Sequence, residues 1–457
     1  MSTQCTAEQL TFQGFEGAAV VADFNGGEIT SDAGALLLAQ AERAAGIVGR
    51  LADCFIDERN QDQVEHSLES ILAQRIFAIC LGYEDINDHE QLRYDPLFQM
   101  ICRKAAIARD GEERRPLAGK STLQRAETPG AERYHRIRVD EAAVADAFVD
   151  VYLDSLDSQP AEIVIDLDAT DDRLHGNQEG RFFHGYYDCY CYLPLYIFAG
   201  DALLAAKLRR SNIDASAGSV EELQRIVTRI RARFPEVPII VRADSGFCRD
   251  HIMSWCEANG VRYLLGMARN SRLQSRITKQ MNKAKRRWAE GKRPARAYTE
   301  FRYRTRSSWT RARRVIAKAE YLGDKENPRF VVTNISPEQS RPDELYENEY
   351  CPRGEMENRI KEQQLYLFAD RTSSATKQAN QLRLWLSAAA YVLMNTLRQV
   401  GLSGTELARA QCHTIRLKLL KVGARVRQTA RRVVVSIASG YPFRAEFIQA
   451  ATILTGG

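Results

Sequence analysis

Between about Ser31 and Leu156 apolar residues recur at helical spacing. The clearest run is Val64, Leu68, Ile71, Leu72, Ile76, Ile79 and Cys80, with steps of one, three or four residues. This pattern predicts an all-α amino-terminal domain over residues 1–158. After the break at 155–160, Ser-Leu-Asp-Ser-Gln-Pro, the period changes to that of strands. Ile163 to Asp168, Cys191 to Ala199 and Ala202 to Leu208 read as three consecutive strands, the last two joined by a Gly200-Asp201 turn. A helix is expected from Val220 to Phe234, opened by a Ser219-x-x-Glu222 capping box and closed before Pro235. A short strand, Ile239 to Arg242, runs into Asp244-Ser245-Gly246; a helix to Asn259-Gly260 and a strand from Tyr263 to Met267 follow.

An antiparallel start followed by strand, helix, strand, helix, strand predicts an α/β protein. Its mixed sheet would be flanked by helices in the ribonuclease H-like order. The core over 159–270 is then interrupted. Phe301 to Thr305, Val315 to Leu322 and Arg329 to Ile335 are strand-like and predict an inserted, mostly β subdomain over 271–347. Helical patterning returns from Arg353 through Phe368 and again from Ala375 to Val400. There Leu382, Leu384, Trp385, Ala388, Ala389, Val392 and Leu393 would pack against the sheet. This second part of the core covers 348–402, and residues 403–457 form a basic tail.

With 457 residues, 44% of them apolar, the chain is long enough for about two to four domains. There is no amino-terminal signal pattern, and the longest apolar run, Leu384 to Met394, is about half of what a bilayer requires. A soluble intracellular protein is the expectation. The ten cysteines contain no CxxC pair, which argues for reduced, mostly buried thiols without structural zinc.

Charge alters the picture more than composition does. The net charge is +5, yet Arg269 to Lys318 alone holds eighteen Lys or Arg against Glu290 and Glu300, and Arg416 to Arg432 holds seven with no acid. Concentrated cations beside an acidic remainder fit a polyanion-binding surface, because phosphate contacts release counterions. Arg286, Arg287, Arg311 and Arg313 are the candidate contacts. Trp309, and less so Trp288, lies among them and could stack on a base or fill a small core.

A polyanion-binding enzyme needs chemistry as well as charge. Phosphoryl transfer between nucleic-acid strands is served by two divalent cations about 3.5–4 Å apart, held by converging carboxylates. Asp168 ends the first strand and Asp244 lies just past the fourth, so the sheet can bring them together although 76 residues separate them. A third ligand would come from a helix. Tyr350, Arg353, Glu357 and Lys361 are spaced three, four and four apart and would share one face, with Arg353 and Lys361 gripping phosphate beside Glu357. The same spacing fits a run of surface ion pairs. Asp166 shares the strand face of Asp168, and periodicity does not choose between them. Glu355 would face away from Glu357 around the helix, so only one of the two can face the metals.

The motifs Asp168-Ala-Thr170, Arg242-Ala-Asp-Ser-Gly-Phe247 and Tyr350-x2-Arg353-x3-Glu357 resemble the IS4-like DDE transposases. The IS1380 family is the closer resemblance. It extends to Gly82-Tyr-Glu-Asp-Ile-Asn-Asp-His89, Phe182-Phe-His-Gly-Tyr-Tyr-Asp188 and Tyr350-Cys-Pro-Arg-Gly-Glu-Met-Glu-Asn358 and covers nearly the whole chain. The resemblance implies a ribonuclease H-like core with an insertion before the Glu. It implies cut-and-paste chemistry at terminal inverted repeats followed by strand transfer into target DNA. It selects Asp168 over Asp166 and Glu357 over Glu355, as ligands of two Mg²⁺ ions for which Mn²⁺ can substitute. It further implies a homodimer or larger assembly on DNA and a cytoplasmic, nucleoid-associated location in a bacterium. The broader signature has a Lys seven residues after the Glu; this chain has Gln364 there, leaving Lys361 as the substitute.

A nuclease without strand transfer and a transposase-derived DNA-binding protein are the alternatives. Ala118-Gly-Lys-Ser-Thr122 is no nucleotide-binding loop, since the glycine required five residues before Gly119 is Arg114. Ser121 would instead cap a short helix over 122–127. His175 and His184 flank a loop that could reach the active site, although structural roles suit them better.

Overall fold

In the computed structural model, residues 9–12, 20–102, 115–128, 136–429 and 432–456 are described. They fall into two compact units. One comprises 1–52, 57–137 and 393–457, the other 53–56 and 138–392.

The first unit is built on the helix Leu68–Leu81, in which every residue but Glu69 is buried. It is therefore buried all round, as suits a central core helix, with its polar Ser70, Gln74 and Arg75 hydrogen-bonded inside. Ser67 caps its start by accepting from Ser70 N at 3.2 Å, and Gly82 ends it at φ 93°, in the left-handed region. Arg416 closes that end, donating to the carbonyls of Cys80 at 2.7 Å and Ile79 at 3.1 Å. One cation of the second basic cluster is thus a buried helix cap. The unit is not all-α. Ile29–Thr30 pairs with Ala424–Gln428, which pairs in turn with Val433–Ile437. The tail expected to be merely basic folds as a hairpin because apolar Ala424 and Val426 alternate with charged neighbours. Ser121 is not a cap either. The helix Lys120–Glu127 starts after Gly119, and the Glu90 carboxylate accepts from Lys120 N at 2.8 Å.

The second unit carries a nine-stranded mixed sheet. We label its parts β1 (Ile163–Ala169), β2 (Leu195–Ala199), β3 (Ala202–Lys207), α1 (Ser219–Arg233), β4 (Ile239–Ala243), α2 (Asp250–Ala258), β5 (Arg262–Met267), α3 (Thr278–Gly291), β6 (Ala295–Tyr303), β7 (Arg313–Leu322), β8 (Arg329–Thr333), α4 (Gly354–Tyr366) and α5 (Lys377–Thr396). The order is β3-β2-β1-β4-β5-β8-β7-β6, with β1, β4 and β5 parallel; the two-residue strand Lys325–Glu326 pairs with the end of β7. Ile163, Ile165 and Leu167 of β1 point into one core with Ile239, Val241, Tyr263 and Leu265. Val164 belongs to the opposite face, with Ile240, Leu264, Leu345 and Tyr346. By strand alternation Asp166 and Asp168 stand on that second face. Helix α5 lies against the β2–β3 hairpin: Gln381 accepts from Leu208 N at 2.6 Å and donates to Ala206 O at 3.1 Å, and Tyr391 packs edge-on against Phe198.

Three expectations change. The strand expected over Cys191 to Ala199 is two. Pro194, which has no N–H to give a ladder, separates β2 from Cys189–Tyr192, and the latter joins a small sheet with Asp172–Arg173 and Phe182–His184. No capping box opens α1. Ser219 is its first residue after Gly218 at φ 77°, and Glu222 is drawn instead to Lys207 at 2.8 Å and Arg225 at 2.9 Å. The strands read as an inserted subdomain extend the central sheet beyond β5 and close no sheet of their own.

Candidate active site

The parallel pairing of β1 with β4 sets Asp166 opposite Arg242 and Leu167 opposite Ala243. One step further, at the carboxyl ends of both strands, come Asp168 and Asp244. Asp244 has left the strand: its side chain accepts from Gly246 N at 2.8 Å and caps a single 3₁₀ turn. Asp168 accepts from Ala169 N at 2.9 Å. Its carboxyl is pushed up to about 6, chiefly by loss of hydration; Arg353 opposes the shift, and Asp244 and Glu357 add to it. Asp166 is engaged differently. Arg242 grips both its oxygens at 2.7 Å and spends another N–H on the Glu349 carbonyl, so Asp166 is a buried ion-pair partner.

The third carboxylate arrives on α4. Before it the chain passes through a π-helical turn, Leu345–Tyr350, and a 3₁₀ turn, Cys351–Arg353, that contains Pro352. Tyr350 and Arg353 therefore precede the regular helix. Arg353 nevertheless reaches Glu357 at 3.3 Å and Asp168 at 3.8 Å; burial works to lower its pKa, but Tyr350, Asp168 and Asp244 together raise it. One of its nitrogens, Nη1, is buried without a hydrogen-bond partner. Burial raises the Tyr350 hydroxyl, which sits against Gly266 of β5; a Cβ at 266 would collide with it and lie 3.2 Å from Ser245 N. Lys361 is exposed, and among the described residues it pairs with no carboxylate. Among the described residues no three carboxylate, imidazole or thiol groups stand close enough to hold a metal ion; the Arg353 guanidinium lies between Asp168 and Glu357.

Two further residues lie near these acids: Tyr187, not singled out by sequence reasoning, and Gln364, noted there only as standing where the broader signature has Lys. Tyr187 reaches the Ala169 carbonyl at 3.4 Å, and its hydroxyl is raised by burial and by Asp171, Asp168 and Asp244. The only signal for it was the Phe182 to Asp188 motif. Gln364 turns inward, donating to Asp172 at 2.9 Å and to the Asp171 carbonyl at 3.1 Å. His184 packs on Tyr187 with ring centroids 4.9 Å apart, and His175 is exposed.

The basic segment contains two kinds of cation. Arg286 and Arg287 are exposed on α3. Arg313 is buried, its side chain 2% exposed, between Asp250 at 2.6 Å and Glu257 at 2.8 Å, and Arg311 pairs with the same Glu257. The expectation that Arg313 meets DNA is corrected, since its charge is matched inside the protein. Trp309 is a core residue, edge-on to Tyr303 and 3% exposed, which leaves no face for a base. Trp288 packs on Tyr321 beneath Lys292.

Residues 12–456 match the family model described as transposase DDE domain group 1. No curated protein matches the chain.

Proposed function

The chain belongs to the DDE transposase family, and we propose that it cuts DNA at terminal inverted repeats and joins the freed ends to target DNA. DNA is the partner that the family implies, and its members generally use divalent metals. In this reading Asp168, Asp244 and Glu357 hold two Mg²⁺ ions, with Mn²⁺ able to substitute. The carrying observation is that adjacent parallel strands deliver Asp168 and Asp244 side by side while Arg353 ties Glu357 to Asp168. The donor set suits such ions in its chemistry, since all its atoms are hard oxygens, while Arg353 now stands between Asp168 and Glu357 and would have to move aside. When bound, the ions activate the attacking oxygen and stabilise the leaving one.

The chain's own side chains supply position. Arg353, whose buried Nη1 faces Asp168 at 3.8 Å without a hydrogen bond, can turn its fork to a scissile phosphate. Tyr350 is held near the acids by Gly266, and Lys361 offers an exposed charge one helical turn past Glu357. Two ends cut together call for a dimer or larger assembly on DNA. The order β3-β2-β1-β4-β5 with its three parallel strands supports a ribonuclease H-like core, and the motif run supports the IS1380 family. The test is to incubate the chain with labelled terminal-repeat DNA and a target plasmid, in Mg²⁺ or EDTA. Metal-dependent cutting at the repeat boundary with joined products is expected. Cutting without joining leaves a nuclease, and binding alone leaves a DNA-binding protein.

A further inference from the structure

Eighteen cations between Arg269 and Lys318 look alike in sequence, and the fold divides them. From Arg296 onward, five of eight are matched to carboxylates: Arg296 to Glu320 and Glu347, Arg311 to Glu257, Arg313 to Asp250 and Glu257, Arg314 to Glu300, and Lys318 to Glu320. From Arg269 to Arg293 there are ten cations and a single acid, Glu290. Among the described residues none of those ten pairs with a carboxylate, and all are exposed.

Helix α3 carries the centre of this unmatched charge. Met281, Ala284 and Trp288, three and four residues apart, turn toward the sheet: Met281 and Ala284 are buried, and Trp288 stacks on Tyr321 of β7. At 100° per residue the opposite face is Lys279, Lys283 and Arg286, with Arg287 to one side. A basic amphipathic helix can also serve a membrane surface, but that needs its apolar face free, and here it is in the core. What remains outside is a row of cations on a rigid element about 21 Å long, at 1.5 Å per residue. Such a row matches the phosphate backbone of a duplex and contains little that could read a base edge.

We propose that the outer face of α3, centred on Lys279, Lys283 and Arg286, is where this protein lays duplex DNA through its phosphates, independently of sequence. The strand-borne Arg296, Arg313, Arg314 and Lys318 hold the sheet together instead. The choice of DNA rests on the transposase reading; the location rests on the charge matching. The test is binding of the full chain to a fluorescent 30-base-pair duplex lacking the inverted repeats, in EDTA, across a KCl series. The triple variant K279Q/K283Q/R286Q removes exposed charges only, so its melting temperature should match that of the native chain. Its affinity in 100 mM KCl should fall at least tenfold, and its log–log salt slope should be shallower by about 2–3, at about 0.9 per lost phosphate contact. Arg296→Gln should leave the slope unchanged. A native slope in the triple variant, or tighter salt-sensitive binding of a single-stranded RNA than of the duplex, would overturn the assignment. Because EDTA silences cutting, a catalytically dead chain still reports on this surface, and failure of one reading is separable from failure of the other.

Discussion

Gln364 of the Glu357 helix donates at 2.9 Å to Asp172, a carboxyl with no exposed surface four residues past Asp168, and at 3.1 Å to the Asp171 carbonyl. The helix that presents one acid is therefore pinned to the segment that follows another. Gln364→Ala leaves the buried Asp172 without this donor and should cost about 1–3 kcal/mol. For a domain of this size that is a melting temperature lower by about 2–4 °C per kcal/mol. Cleavage per folded molecule should fall as well. An unchanged melt would mean that the amide is dispensable.

Asp172 also gives the fold a pH dependence of known sign. Burial raises its carboxyl to about 8 from the ordinary value of 3.8. Between those values the native state keeps a proton that the unfolded chain has lost, so this group's contribution is full below about 4 and is lost as pH rises toward 8. Asp172→Asn keeps the acceptor for Gln364 and abolishes the titration. Its melting temperature should gain on the native chain from pH 5 to pH 8. Parallel melting curves across that range would contradict this account.

Tyr350 and Gly266 are coupled by shape. Gly266→Ala places a methyl where the Tyr350 hydroxyl sits, and overpacking of this kind costs about 1–3 kcal/mol. Tyr350→Phe should restore much of the loss, because it removes the atom that collides. A double-mutant cycle by chemical denaturation measures the coupling, and strict additivity would show that the two do not meet.

Arg313 and Arg311 share Glu257, and their consequences should differ. Arg313→Gln breaks a buried pair, leaving Asp250 without its cation and Glu257 with Arg311 alone, at about 3–5 kcal/mol. Arg311→Gln loosens an exposed pair worth about 0–1 kcal/mol. Urea midpoints for the two variants read this directly, and equal midpoints would refute the assigned burial.

The strands that carry the candidate site were legible because they obey local rules. β1, β4 and β5 are apolar runs with sharp edges, and their parallel pairing brings the carboxyl ends of β1 and β4 together, with Asp168 and Asp244 one step further. What was not legible depends on partners distant in sequence. Arg313 and Arg286 read identically until Asp250 and Glu257, 63 and 56 residues before Arg313, are seen beside it. Glu222 was available to cap a helix and was taken by Lys207, while Ser121 was displaced by Glu90. Strand periodicity left Asp166 and Asp168 equivalent, and Arg242 closing over Asp166 gives the physical difference between them. Pro194, by contrast, was a local signal that could have split the long strand at the start.

In the proposed reaction Glu357 joins Asp168 and Asp244 in cutting DNA. The direct measurement is cleavage of labelled terminal-repeat DNA in Mg²⁺ by the native chain, Glu357→Gln and Glu355→Gln, all shown to bind that DNA equally. Glu357→Gln should lose at least about 100-fold in rate, the scale on which a lost electrostatic contribution to the transition state registers, while Glu355→Gln should cut near the native rate. Native cleavage by Glu357→Gln, or equal losses in both variants, would contradict it.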